Sequence, residues 1–258
     1  MVTGTSVEHS REALRLTRFH PDFLYCTAGV HPHDAKTFTN DAIVELETLA
    51  VNPECVAIGE CGLDFNRNFS PPDDQVRAFE AQVALAVRLK KPLFVHEREA
   101  ASTMVEILER FSGQLPPTVI HCFTGTIAEA TKYVNMGLYI GFLWKDKSDD
   151  GVQAALRGRH LPLERLMLET DAPFMYPNIK GKKLPKEVLE KISERSRGLL
   201  ARYCTFQRNE PCALPVIAEL VAAFMDEPPE SVAFNTTVNA MKVFGLASST
   251  SVDNSPSS

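Results

Sequence analysis

Short apolar runs rich in β-branched residues alternate along this chain with longer amphipathic stretches, and that alternation limits the fold more than any other feature. The runs are Phe23 to Val30, Cys55 to Glu60, Pro92 to His96, Thr118 to His121, Leu138 to Ile140 and Leu166 to Glu169. Between them lie helical patterns. In the clearest, Asp73 to Lys90, the residues Val76, Phe79, Val83 and Ala86 fall on one face, and Lys90, Lys91 and Pro92 mark the stop. Near-continuous hydrophobic strands separated by helices mean a parallel sheet covered on both sides. With Met1 to Thr3 counted as a stub, seven strands are expected, followed by closing helices at Leu214 to Met225 and Pro229 to Phe244. The Ser-rich tail, 247–258, has nothing to bury and is expected to be disordered.

A sheet of this kind closes into a barrel or stays open and doubly wound. No GxGxxG or P-loop follows any run, so a nucleotide-binding open sheet has no motif support. The position of the polar residues favours the barrel. "VAIGE", "LFVHE", "VIHCF" and "LETDAP" place Glu60, His96, His121 and Asp171 at or just past the carboxyl ends of four strands, the catalytic rim of such a barrel. The positions beneath Glu60, Val56 and Ile58, then read as barrel core layers. Taken singly, each rim residue could be a satisfied core histidine or a helix cap. Converging on one mouth, two imidazoles and two carboxylates are costly to bury unless they share a cation or each other. A mixed set of this kind suits Mg²⁺, Mn²⁺ or Zn²⁺.

The chain has 258 residues, is 44% hydrophobic and 23% charged, and carries a formal charge of −6. No apolar run approaches the length of a membrane helix and no signal-peptide order opens the sequence, so an intracellular, cytoplasmic or nuclear setting and no membrane partner are expected. Six cysteines without a CxxC pair read as free, buried thiols. The charge is uneven. Between Asn178 and Arg208 nine Lys and Arg stand against three Glu, about +6 locally against about −12 elsewhere. This basic insertion, about 178–208, overhangs the rim of a single barrel domain spanning 1–246; a solvated helix face is its plain alternative.

The stretches "TAGVHPHDA", "VAIGECGLDFNRNFS", "PLFVHEREA", "VIHCFTGT", "LYIGF", "LMLETDAPF" and "RNEPCALP" resemble the TatD-type metal-dependent deoxyribonucleases, in the family's order and approximate spacing. The resemblance implies a TIM-type (β/α)8 barrel that hydrolyses phosphodiester bonds in DNA, as an exonuclease on single-stranded ends, with one or two divalent ions, Mg²⁺ first and Mn²⁺ or Zn²⁺ as alternatives. It makes Glu60 a shared metal carboxylate, His96 and His121 imidazole ligands, and Asp171 a further ligand or the base for the attacking water. His31 and His33 of "GVHPHD" become phosphate contacts or loop-ordering residues. Arg98 and Arg208 become candidates for gripping phosphate, Arg208 with structural pairing to a carboxylate as its equal alternative. Phe65, Phe142, Trp144, Phe174 and Tyr176 are available to stack a base, Trp144 foremost.

Two departures stand out. Glu97 follows the ligand histidine where many relatives have a small residue or Cys. The other is at the start. "VTGTS" resembles the mouth end of the family's second strand, so the first βα unit is expected to be missing, with Thr5 and Glu8 as a capping box for the next helix. An active nuclease using the retained ligands, a truncated nucleic-acid-binding variant with impaired catalysis, and a superfamily hydrolase of a small amide or ester are the readings left open.

Overall fold

The computed structural model describes residues 1–143, 150–179, 184–204 and 208–246. The strands are β1 (Cys26–Ala28), β2 (Cys55–Asp64), β3 (Leu93–Arg98), β4 (Thr118–His121), β5 (Tyr139–Phe142) and β6 (Leu166–Leu168). All five pairings are parallel and join consecutive strands in the order β1 to β6. That order has no switch point, which separates it from a doubly wound sheet and gives the strand sequence of a (β/α) barrel. Helices α1 (Val7–Thr17), α2 (Asn40–Ala50), α3 (Pro72–Leu89), α4 (Ala101–Arg110), α5 (Ile127–Asn135) and α6 (Asp150–Arg157) alternate with the strands. Then come α7 (Lys186–Glu190), α8 (Glu194–Tyr203), α9 (Leu214–Met225) and α10 (Pro229–Phe244). No described helix is long and apolar enough to cross a membrane.

Several expectations need correcting. The stub at Met1 to Thr3 is an isolated bridge rather than a seventh strand: Val2 N–H donates to Tyr25 O at 2.7 Å and Thr27 N–H to Val2 O at 3.1 Å. The run at Phe23 pairs only from Cys26 on, because hydrogen-bonded turns to His20 carry Phe23 outward, where it is 79% exposed. The cap of α1 is Ser6, whose hydroxyl accepts from His9 N–H, so the helix starts one residue later than Thr5 would set. Within the basic segment the described residues form two helices, α7 and α8, in keeping with a partly helical excursion; Ile192 and Ser193 separate them and Ser193 caps α8. The tail, 247–258, and Trp144 lie outside the described residues.

The core has two layers. Ile58, Leu93, Val95, Ile120, Ile140 and Leu166 pack outward with the helices. Ala57, Phe94, Val119, Tyr139 and Met167, one from each of five strands, line the other face and meet Val243, Ala240 and Phe244 of α10. The inner layer below Glu60 is therefore Ala57, not Ile58, since alternate residues of a strand face opposite ways. Along β6, Asn239 of α10 donates to the carbonyls of Leu163 (2.7 Å) and Leu166 (2.8 Å), satisfying groups that would otherwise stay open.

Two fully buried glutamines on α3, seven residues apart, tie strand ends to the helix layer. Gln82 accepts from Val30 N–H and donates to Val30 O; Gln75 accepts from Asp64 N–H and donates to the carbonyls of Asp64 and Ser70. Each removes backbone groups from an unsatisfied state and sets the exit of a rim loop. Gln82→Ala is expected to lower the unfolding free energy by about 2–3 kcal/mol, through unpaired backbone groups and a cavity. A urea titration against the wild type checks this, and an unchanged midpoint would count against the clamp.

Candidate metal centre

Glu60 is the hub. It is 8% exposed, and a register shift between Ile58 and Cys61 turns it onto the inner face with the rim histidines. The close strand approach beside it needs glycine. Gly59 and Gly62 have positive φ (141° and 139°), and a Cβ at either would run into the carbonyl of Phe94 or His96. Three imidazoles face one oxygen, Glu60 Oε1: His121 Nε2 at 2.7 Å, His96 Nδ1 at 3.1 Å and His31 Nε2 at 3.2 Å.

Each histidine has a second partner, and these fix the rings. His121 Nδ1 lies 3.2 Å from Glu169 Oε2, while Glu169 Oε1 also accepts the Cys122 N–H. His96 Nε2 lies 3.4 Å from Asp64 Oδ2, yet it is buried without a hydrogen bond. His33 Nε2 meets the same Asp64 oxygen at 2.8 Å. His31 Nδ1 accepts the His33 N–H at 3.1 Å, which leaves the ring proton on Nε2, directed at Glu60.

Electrostatics follow from this crowding. Burial alone would raise the Glu60 pKa, but the three imidazoles, His121 foremost, hold it well below the usual carboxylate range. Burial likewise opposes a charge on His121, but Glu60 and Glu169 outweigh it and hold its pKa well above the ordinary value. His96 is raised in the same way against burial by Asp64 and Glu60, whereas for His31 burial wins and its pKa falls. Asp171 goes the other way. It sits in the left-handed region (φ 54°), and burial pushes its carboxyl up to about 6 despite His121, with Glu169 and Glu60 adding to the rise.

A divalent cation fits these residues. His31, Glu60 and His96 bring side-chain donor atoms within 4.8 Å of one another; with the proton on His31 Nε2, His121 Nε2, 2.7 Å from the same Glu60 oxygen, is the second imidazole available beside His96. His121 has the carboxylate behind it that metal-ligating histidines characteristically have, here Glu169.

The other rim candidates are less central. His33 is drawn in through Asp64 and carries the exposed ring of Phe69 edge-on at 4.7 Å. Arg98 is half-buried on the same strand as His96. Arg208 is 70% exposed and lies 3.5 Å from Glu210, the structural pairing foreseen as its alternative. Glu97 faces away from the mouth, where it is buried and accepts the Ala100 N–H that starts α4. Of the ring candidates, Phe142 is buried, Phe65 and Tyr176 pack partly against the core, and Phe174 is 69% exposed.

Glu169, Asp64 and Phe69 are functional candidates that sequence reasoning passed over. Glu169 stood at the end of its own strand run, two residues before Asp171. Asp64 lay in "GLDF", past the expected end of β2. The longer strand was the missing signal, because it brings Asp64 opposite Arg98 and alongside the histidines.

Comparison with known proteins agrees with this geometry. The family model of the TatD related DNases matches residues 1–245. A "3'-5' ssDNA/RNA exonuclease TatD" of Edwardsiella piscicida is 42% identical over 248 residues, covering 96% of this chain and 88% of the relative. Its namesake in Musicola paradisiaca is 42% identical over 249 residues, covering 95% and 86%. Among solved structures, a hydrolase of the TatD family from Entamoeba histolytica superposes with a TM-score of 0.79 at 23% identity, covering 95% of this chain and 84% of the other. A TatD homolog from Escherichia coli does so at 0.74 and 24% identity, covering 94% and 85%, so the likeness in fold extends nearly throughout. By rim geometry and by sequence match over almost its whole length, the chain belongs to the family of TatD related DNases.

Proposed function

We propose that this protein is a metal-dependent phosphodiesterase that removes nucleotides from the ends of single-stranded DNA. The observation that carries the reading is the single buried oxygen of Glu60 faced by three imidazole nitrogens at 2.7 to 3.2 Å, with the carboxylates of Asp64 and Glu169 behind two of the rings. The relatives' printed names support single-stranded substrates and 3'-to-5' polarity, and make RNA a second substrate class.

Glu60, His96 and His121 would hold a divalent cation, Mg²⁺ first and Mn²⁺ or Zn²⁺ as alternatives. That ion supplies charge neutralisation at phosphate and a water of lowered pKa. Glu169 keeps the His121 Nδ1 proton in place, so that Nε2 presents its lone pair to the centre. His31 keeps its Nε2 proton and donates it to Glu60 or, with substrate present, to a phosphate oxygen. Asp171, its carboxyl raised to about 6, is suited to take a proton from water near neutral pH. Arg98, His33 and Arg208 are candidates for the remaining phosphate oxygens. Six cysteines with no disulfide among the described residues support an intracellular, cytoplasmic site of action.

Purified protein with Mg²⁺ or Mn²⁺ is expected to release mononucleotides from labelled single-stranded DNA, and EDTA to stop it. His121→Ala should lower the rate by about a thousandfold or more and Glu169→Gln should weaken metal binding about 10–100-fold. Full-rate release by His121→Ala, or no release by the wild type, would sink the reading.

Asp171 supplies a second test. Its carboxyl is raised from 3.8 to about 6, so its contribution to folding in EDTA worsens as pH climbs through that interval and stays unfavourable above it. Asp171→Asn should therefore melt above the wild type at pH 8, by on the order of 2 kcal/mol, with the gap narrowing towards pH 5. A gap independent of pH would place the carboxyl outside this field.

A further inference from the structure

The loop after β6 and the carboxyl end of α8 meet in one seam. Asn209, fully buried, donates from Nδ2 to the carbonyls of Thr170 (2.7 Å) and Met175 (3.2 Å), and its N–H donates to Pro173 O (3.0 Å). The segment opened by Arg208 is thereby fastened to the loop that carries Asp171. α8 is fastened at the same seam. It packs on the short turn Pro211–Ala213, and its capping residue Cys204 lies beside Tyr176 and Cys212.

Large side chains on the outer side of this seam remain in solvent. Phe174 is 69% exposed and Tyr203 48%, and the Arg202 guanidinium lies over the Tyr203 ring at 5.2 Å. Arg208 is 70% exposed and meets Glu210 only at 3.5 Å, a surface pair of little strength that a phosphate can replace. Arg195, two turns back on α8, is exposed as well. Neither ring contributes to the core, and the surrounding segment is about +6 on a chain whose remainder is about −12. Exposed rings interleaved with guanidinium groups are the composition of a surface that stacks unpaired bases and neutralises the backbone between them.

We propose that Phe174, Arg202, Tyr203 and Arg208 form a platform for single-stranded nucleic acid, on which bases beyond the reacting end stack while the guanidiniums hold their phosphates. The proposal deepens the nuclease reading and rests on it for the direction in which the strand runs. Because a ring reads the face of a base, the platform accepts DNA and RNA alike and discriminates against duplex, whose bases are already stacked.

The test uses the full chain in EDTA, which separates binding from hydrolysis. A fluorescein-labelled oligothymidylate of about 12 nucleotides is titrated and followed by anisotropy, with a duplex of equal length alongside. Phe174→Ala and Tyr203→Ala are each expected to weaken the single strand by about fivefold or more, and Tyr203→Phe to keep wild-type affinity. Arg202→Glu is expected to weaken it and to reduce the slope of log affinity against log salt by about 1. Wild-type affinity in both alanine variants, or an equal loss in Tyr203→Phe, overturns the platform and gives this surface to another kind of partner.

Hydrolysis with Mn²⁺ distinguishes the two claims. If the wild type cleaves nothing while the alanine variants lose binding, the platform stands and the nuclease reading falls. If the wild type cleaves and the variants bind and cleave like it, the platform alone falls.

Discussion

A carboxylate almost withdrawn from water governs the rim of this barrel. Glu60 is nearly fully buried, and an ionised group in that position is tolerable only when opposite charge or hydrogen-bond donors surround it. Three imidazoles do so, and each is steadied from behind by another group: Glu169 for His121, Asp64 for His96, the His33 N–H for His31. The groups behind the rings are themselves anchored. Gln75 holds the backbone of Asp64, and Asp64 also engages His33. Removing Glu60 would leave imidazoles facing one another with no acceptor, and filling the centre with a cation satisfies the carboxylate and the rings together.

Four of the backbone's positive-φ residues lie at the rim. Gly59 and Gly62 flank Glu60 and adopt positive φ, and Cys122 and Asp171, each next to or near a site residue, sit in the left-handed region without being glycine. Non-glycine residues hold such geometry only where the surroundings over-determine it. For Asp171 those surroundings include Asn209, which grips the carbonyls of Thr170 and Met175 on either side. The "RNEP" stretch therefore serves the rim through its asparagine, while its arginine points into solvent.

Much of this was legible in the residues alone. The helix spanning Asp73 to Lys90 and the closing helices were readable because their apolar spacing was long and regular, and β4 because its run was bounded by prolines and a polar end. Glu60, His96, His121 and Asp171 stood out because a polar residue ends an apolar run in each case. Asp64 and Glu169 were hidden by the same logic, since both act behind a histidine and neither carries a distinctive spacing. The cap at Ser6 was missed because "TS" offers two adjacent hydroxyls and only the backbone decides between them. Ile58 was assigned to the wrong face because strand alternation fixes only relative sides, and the register shift before Cys61 changes the phase for Glu60.

The inner layer of the sheet is closed from below by residues near the far end of the chain. Ala57, Phe94, Val119, Tyr139 and Met167 pack against Val243, with Ala240 and Phe244 beside it. Every rim residue discussed above is translated well before this plug. The strands bearing the histidines can emerge and pair in order, but their floor stays wet until nearly the whole chain has left the ribosome. Assembly of the centre is thus a late event in synthesis, and a chain interrupted before α10 would expose an apolar face that chaperones and proteases recognise.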